Sequence, residues 1–113
     1  MKSFIKTMKA LSDPSRVRVL KLLERRELCV CEVQDLLGLS QSTVSRHLKQ
    51  LEEAELACSR KEGSWLYYRP AETFASPYAA EMLRLLSGWH NDDADVQKML
   101  GRLATLDRKQ LCS

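Results

Sequence analysis

The sequence predicts a mainly α-helical chain carrying one β-hairpin, folded as a helix-turn-helix with a wing. Three observations carry that prediction. Apolar residues recur at helical spacing through most of the chain. Two of the helical stretches are joined by only Gly38-Leu39-Ser40, a joint so short that the helices must cross steeply. Directly after them the period changes to that of strands, around a glycine turn with basic residues close by.

The first helix is read over Lys2 to Leu11, with Phe4, Ile5, Met8 and Leu11 on one side. Asp13 is placed as an N-cap and Pro14 at the first helical position, where a missing N–H costs nothing. The second helix runs from Pro14 to about Arg26 on a stripe of Val17, Leu20, Leu22 and Leu23. A third is expected from Cys29 to Leu37, ended by Gly38 in the left-handed position that glycine tolerates. Ser40 caps a fourth from Gln41 to about Glu53, with Val44, Leu48 and Leu51 facing the core. The helix-turn-helix therefore spans about 29–54.

Leu56 to Arg60 and Trp65 to Arg69 read as the two strands of a wing at 56–69, joined by Lys61-Glu62-Gly63-Ser64 and stopped by Pro70. A helix from Tyr78 to Trp89 follows, with Met82, Leu85, Leu86 and Trp89 on one face. The tail, 92–113, adds a last helix around Val96 to Leu106. At 113 residues the chain is read as a single domain. The apolar faces around Phe4, Leu85 and Trp89 invite a second copy.

The formal net charge is +3, mildly basic, which permits nucleic-acid binding where the cations cluster. Met1 to Lys9 lacks the apolar stretch of a signal peptide, and no apolar run approaches the ~18 residues of a membrane span. The expectation is a cytoplasmic protein with no membrane partner, whose 4 Cys stay reduced. Enzyme signatures are missing. There is no glycine-rich phosphate loop, no paired His/Glu zinc helix and no nucleophile elbow.

The fourth helix has the composition of a recognition helix. Ser40, Gln41, Ser42, Thr43, Ser45, Arg46 and His47 are small or hydrogen-bonding, and Lys49 adds a cation. The start of such a helix meets base edges in the major groove, where Gln pairs with adenine and Arg with guanine. Hydroxyls suit phosphates, which position without reading sequence. Arg60 and Lys61 on the wing are expected to reach a neighbouring phosphate or minor groove. Operator DNA is thus the expected partner.

Cys29 and Cys31 form the chemical centre of the sequence. At i and i+2 they lie about 200° apart on an ideal helix. Two thiolates holding one ion must converge, so chelation calls for an irregular or unwound first turn. A helix N-terminus favours thiolate, and soft thiolates select soft ions.

Four stretches together resemble the ArsR/SmtB winged-helix metalloregulators, and the second of them the arsenic-responsive branch. They are Ala10-Leu11-Ser12-Asp13-Pro14-Ser15-Arg16, Glu27-Leu28-Cys29-Val30-Cys31-Glu32, Ser40-Gln41-Ser42-Thr43-Val44-Ser45-Arg46-His47-Leu48, and Arg60-Lys61-Glu62-Gly63 followed by Tyr67-Tyr68-Arg69. The resemblance implies a homodimer built from helices 2–11 and 78–89 and bound to a palindromic operator. It implies a repressor released when an inducer, As(III) or Sb(III) as arsenite or antimonite, binds the cysteines.

One arsenic-sensor pattern of that family has a third Cys three residues beyond the second, and here that position is Gln34. Cys112 in the tail is taken as the third ligand ahead of Cys58, with an external thiol as the other route. A cadmium or lead sensor would add cysteines before Cys29, and none is present. A zinc sensor would need a second His after His90, Asp92 and Asp93, and none follows. The rival triggers are oxidation of the same thiols, or another soft metal such as cadmium, lead or zinc, on the same fold.

Overall fold

The computed structural model describes residues 1–106. Its elements in chain order are α1 (Lys2–Ala10), α2 (Pro14–Leu23), β1 (Leu28–Cys29), α3 (Val30–Leu37), α4 (Gln41–Glu53), β2 (Ala57–Glu62), β3 (Trp65–Pro70), α5 (Pro77–Leu86) and α6 (Ala94–Leu103). The result is a mainly helical winged helix-turn-helix.

Local chemistry sets the helix ends. The Asp13 carboxylate accepts the Ser15 N–H at 2.7 Å, with Pro14 at the first position of α2. Gly38 ends α3 at φ 67°, its N–H donating to the Gln34 carbonyl at 2.9 Å. Two residues later the Ser40 hydroxyl accepts the Thr43 N–H and opens α4. Asp93 accepts the Val96 N–H at 3.0 Å and opens α6. Each orphaned N–H satisfied this way is worth about 1 kcal/mol of helix stability.

One core holds these pieces. Leu20 and Leu22 of α2, Val33 and Leu36 of α3, Val44, Leu48 and Leu51 of α4, and Leu56 before the wing are buried together. From the far side, Val96, Met99 and Leu103 of α6 close over it. α1 and α5 meet at Phe4 and Tyr78, whose rings stand edge to face at 5.4 Å. Phe4, Ile5 and Trp89 remain more than a third exposed.

The structure departs from the sequence expectations in several places. Leu28 and Cys29 form a short strand instead of entering a helix. They pair antiparallel with β3, Leu28 opposite Tyr68 and Cys29 opposite Tyr67, so the sheet has three strands in the order β1-β3-β2. A two-residue strand is too short to show any period, and only its partner 40 residues away defines it. α2 stops at Leu23, leaving Arg26 in the connection, because the backbone must turn there to reach the sheet. The wing strands run to Glu62 and from Trp65, leaving Gly63-Ser64 as the turn, with Gly63 at φ 62°. α5 ends at Leu86, so Trp89 lies beyond it.

Two substitutions separate packing from backbone conformation. Leu48→Ala removes a fully buried side chain and should cost about 2–5 kcal/mol. Gly38→Ala meets no atom within 4 Å, so only the left-handed backbone resists it, at roughly 1–2 kcal/mol. Urea unfolding of both variants should rank Leu48→Ala as the more damaging.

Candidate nucleic-acid interface and thiol site

α4 presents the expected polar row. Ser40, Gln41, Ser42, Ser45, Arg46 and Lys49 are exposed and Thr43 is half-buried. Ser42, Ser45, Arg46 and Lys49 follow three- and four-residue spacing, which puts them on one face. The Ser40 hydroxyl also donates to the Thr43 hydroxyl at 2.9 Å, so it serves the helix start as well as facing outward.

His47 does not join that row. It is 7% exposed and faces α2, with Nδ1 3.3 Å from an Arg16 guanidinium nitrogen. Arg16 ties three elements together there. It donates to the Ala10 carbonyl at 2.7 Å, to the Lys9 carbonyl at 3.0 Å and to the Gln50 side-chain oxygen. Burial lowers the His47 pKa below its usual 6.5, and the Arg16 and Arg46 cations push the same way against Asp13.

On the wing, Arg60 is engaged as well as exposed. Its Nε and Nη2 donate to Glu27 at 3.0 and 2.6 Å, and Nη1 donates to Glu62 at 2.7 Å. The guanidinium also lies 4.6 Å from the Tyr67 ring centre. Lys61, the next residue, is exposed near the hairpin tip.

The two cysteines converge without any unwinding. Cys29 is the N-cap of α3, extended at φ −93° and ψ 166°, and Cys31 sits in the first turn. A change from strand to helix between them replaces the 200° separation of a regular helix. Their sulfurs are 3.0 Å apart. Glu32, fully buried, accepts the Cys29 N–H at 3.0 Å and a contact from the Cys29 sulfur at 3.3 Å through the same oxygen. Its other oxygen accepts from Arg26 at 2.6 Å.

A hollow of about 450 Å³ opens beside the sulfurs. Cys29 and Cys31 line one side, Gln41 and Ser45 of α4 a second, and Trp65 and Leu66 of the wing a third. The expectation that all the cysteines stay reduced fails at Cys31, which is disulfide-bonded in this structure to a partner outside the described residues, while Cys29 and Cys58 are free. With Cys31 reduced, both sulfurs would be within reach of one ion at bond lengths of about 2.3 Å. Gln34 also lines the hollow and brings an amide where a sulfur would extend the set. Cys58 lies on β2 opposite Arg69, two strands and two residues of register away from Cys29, a separation of roughly 12 Å. Its sulfur receives Arg69 Nε at 3.3 Å. Cys112 lies outside the described residues. Among the described residues, no three His, Cys, Asp or Glu gather as an ion site.

Sequence reasoning missed β1, the Glu32–Arg26 pair and the Arg16 hub. The Glu three residues after Cys29 carried a signal, since an acidic residue there reaches back to the N-cap. Cysteine is not a usual cap, which hid it.

A helix-turn-helix with an outward polar helix and a hairpin wing defines a winged-helix transcriptional regulator. The profile of the bacterial regulatory proteins of the arsR family matches residues 13–59. An arsenical resistance operon repressor from Escherichia coli is 35% identical over 114 residues, covering 96% of this chain and 95% of that one. The arsenic resistance transcriptional regulator ArsR1 of Pseudomonas putida is 50% identical over 62 residues, 54% of this chain and 48% of that protein. A homodimeric winged helix-turn-helix DNA-binding domain from Mycobacterium bovis superposes with a TM-score of 0.65 at 26% identity, covering 82% of each chain. The chain belongs to the arsR family of regulators, which are not enzymes.

The His47 shift has a sign that can be measured. Below pH 6.5 the unfolded chain takes up a proton that the folded chain still refuses. Stability should therefore fall as pH drops from 6.5 toward the lowered folded value. In thermal unfolding, His47→Gln should show a shallower loss of Tm across that window than the parent chain, whatever its Tm at pH 7.5.

Proposed function

We propose that the chain is a metalloid-responsive repressor that acts in the cytoplasm, binds operator DNA as a homodimer, and lets go when arsenite or antimonite occupies the cysteine site. The observation that carries this reading is the 3.0 Å approach of the Cys29 and Cys31 sulfurs at the start of α3. Trivalent arsenic or antimony exchanges its oxygens for thiol sulfur, a preference that soft thiolates share. Cys112, or a thiol from solution, would complete the set as third ligand.

The chain's own residues supply the link to DNA. α3 carries both cysteines at its start and passes through Gly38 into α4 at its end. Gln41 and Ser45 of α4 face the same hollow as the sulfurs. Any repacking at the thiols would thus meet the recognition helix and wing directly, which is the link a sensor requires between its ligand and its second state. On DNA, Gln41, Ser42, Ser45 and Arg46 approach base edges while Ser40, Thr43, Lys49 and Lys61 hold phosphates. Arg60 would join them by exchanging carboxylates for phosphate, and buried His47 acts from behind through Arg16. The relatives named for arsenical resistance support the ligand class, and the homodimeric neighbour supports the assembly.

The test is operator binding by fluorescence anisotropy during titration with arsenite, antimonite, cadmium, zinc and peroxide. Release by arsenite or antimonite is the expected result. Release by peroxide alone would instead make the pair a redox switch, which the close sulfurs also allow. Release by cadmium or zinc alone would make it a sensor of those ions.

Two sets of variants divide the machinery. Cys29→Ser and Cys31→Ser should keep operator affinity within about threefold while abolishing release by arsenite. Arg46→Ala should weaken operator binding by ~1–3 kcal/mol if it reads a base. Should it hold a phosphate, the salt slope should instead fall by about one unit. Arsenite binding, followed by the absorbance of the sulfur–arsenic bond, should be unchanged in Arg46→Ala.

A further inference from the structure

Glu32 is the one fully buried carboxylate among the described residues, and neither the DNA surface nor the proposed sulfur ligation uses it. A buried carboxylate is costly unless its oxygens are well partnered. Here the partners are specific. One oxygen takes the Cys29 N–H at 3.0 Å and lies 3.3 Å from the Cys29 sulfur. The other takes Arg26 at 2.6 Å, from a guanidinium whose side chain is 41% exposed. Arg26 therefore anchors the carboxylate from the solvent side while the carboxylate grips Cys29 from the core side.

The grip bears on the thiol geometry. The two sulfurs meet only because Cys29 keeps its extended N-cap conformation while Cys31 is helical. The backbone pairing of Cys29 with Tyr67 holds one side of that residue. The N–H bond to Glu32 holds the other. The contact between Glu32 and the sulfur fixes the direction of the side chain as well as the backbone. Without Glu32, α3 can start one residue earlier, and a helical Cys29 would turn its sulfur away from Cys31.

We propose that Glu32, braced by Arg26, is a positioning residue that preorganises the Cys29–Cys31 pair and so sets inducer affinity without contacting DNA or the inducer. The inference rests on the thiol site proposed above. A ligand that finds its donors already converged binds more tightly because it need not order them.

The test compares the parent chain with Glu32→Ala, Glu32→Gln and Arg26→Met, full length and reduced. Arsenite binding is read from the sulfur–arsenic absorbance, and operator affinity is read by anisotropy without arsenite. Glu32→Ala should weaken arsenite binding at least tenfold while operator affinity stays within about threefold. Glu32→Gln keeps an acceptor for the Cys29 N–H and should recover most of the loss. Glu32→Gln, which removes the buried charge, is the variant that should fold if the others do not; Arg26→Met leaves the Glu32 carboxylate buried without its cation and is itself destabilising. Arg26→Met should weaken arsenite binding severalfold with the operator spared. Parent-like arsenite binding by Glu32→Ala or Arg26→Met overturns the proposal. So does an equal loss of arsenite and operator binding, and so does a Gln variant as weak as Ala. A parent chain that binds no arsenite would sink the proposed function itself, a result distinct from all of these.

Discussion

The pairing of Leu28 and Cys29 with Tyr68 and Tyr67 is the constraint on which the rest of this molecule hangs. It is only two residues long, yet it fixes three things together. It docks the wing against the start of the helix-turn-helix. It ends the connection from α2 in extended backbone and, together with the Glu32 bond to the Cys29 N–H, sets the start of α3 at Val30. It leaves Cys29 as a cap, with its sulfur turned toward that of Cys31. Leu28 and Tyr68 are also members of the core, so the strand joins the wing to the packing as well as to the thiol site.

Packing and polar contacts have different tasks here. The leucines and valines shared by α2, α3, α4 and α6 supply the stability, since each fully buried large aliphatic side chain is worth about 1.5–3 kcal/mol. The polar struts contribute direction. Lys21, 1% exposed, donates to the Leu86 carbonyl at 2.8 Å and pairs with Glu24 at 2.9 Å, tying α2 to the end of α5. Arg102 of α6 reaches the Leu36 carbonyl at 3.2 Å and the Asp35 carboxylate at 2.9 Å, closing the end of α3. Arg16 spans α1, α2 and α4. The exposed Arg102–Asp35 pair is worth at most about 1 kcal/mol, so its effect is on the angle between helices more than on whether they form.

What the sequence disclosed follows from range. Asp13-Pro14, Gly38 and Ser40 act within one turn, so their roles were legible from neighbours alone. The hairpin was legible from Gly63 and its flanking strands. Contacts across long separations were not: β1 needs Tyr67 and Tyr68, and Arg60 needs Glu27. His47 is a different kind of miss. Val44, His47, Leu48 and Leu51 follow the 0, 3, 4, 7 spacing of a buried helix face. The residue's polarity drew attention outward when its position pointed in. For the thiols, the need for an irregular backbone was readable from the spacing, but the strand that supplies it was not.

Arg60 shows what this wing asks of its partner. The guanidinium already holds Glu27 and Glu62, so it carries its own counterions as part of the fold. A cation that meets DNA displaces counterions condensed on the phosphates, and the entropy of that release drives binding. Arg60 would also have to give up two fixed carboxylates, which cannot diffuse away. Were it to exchange onto a phosphate, its net gain would be smaller than that of a bare cation, and two acidic groups would be left beside the phosphate to favour its return.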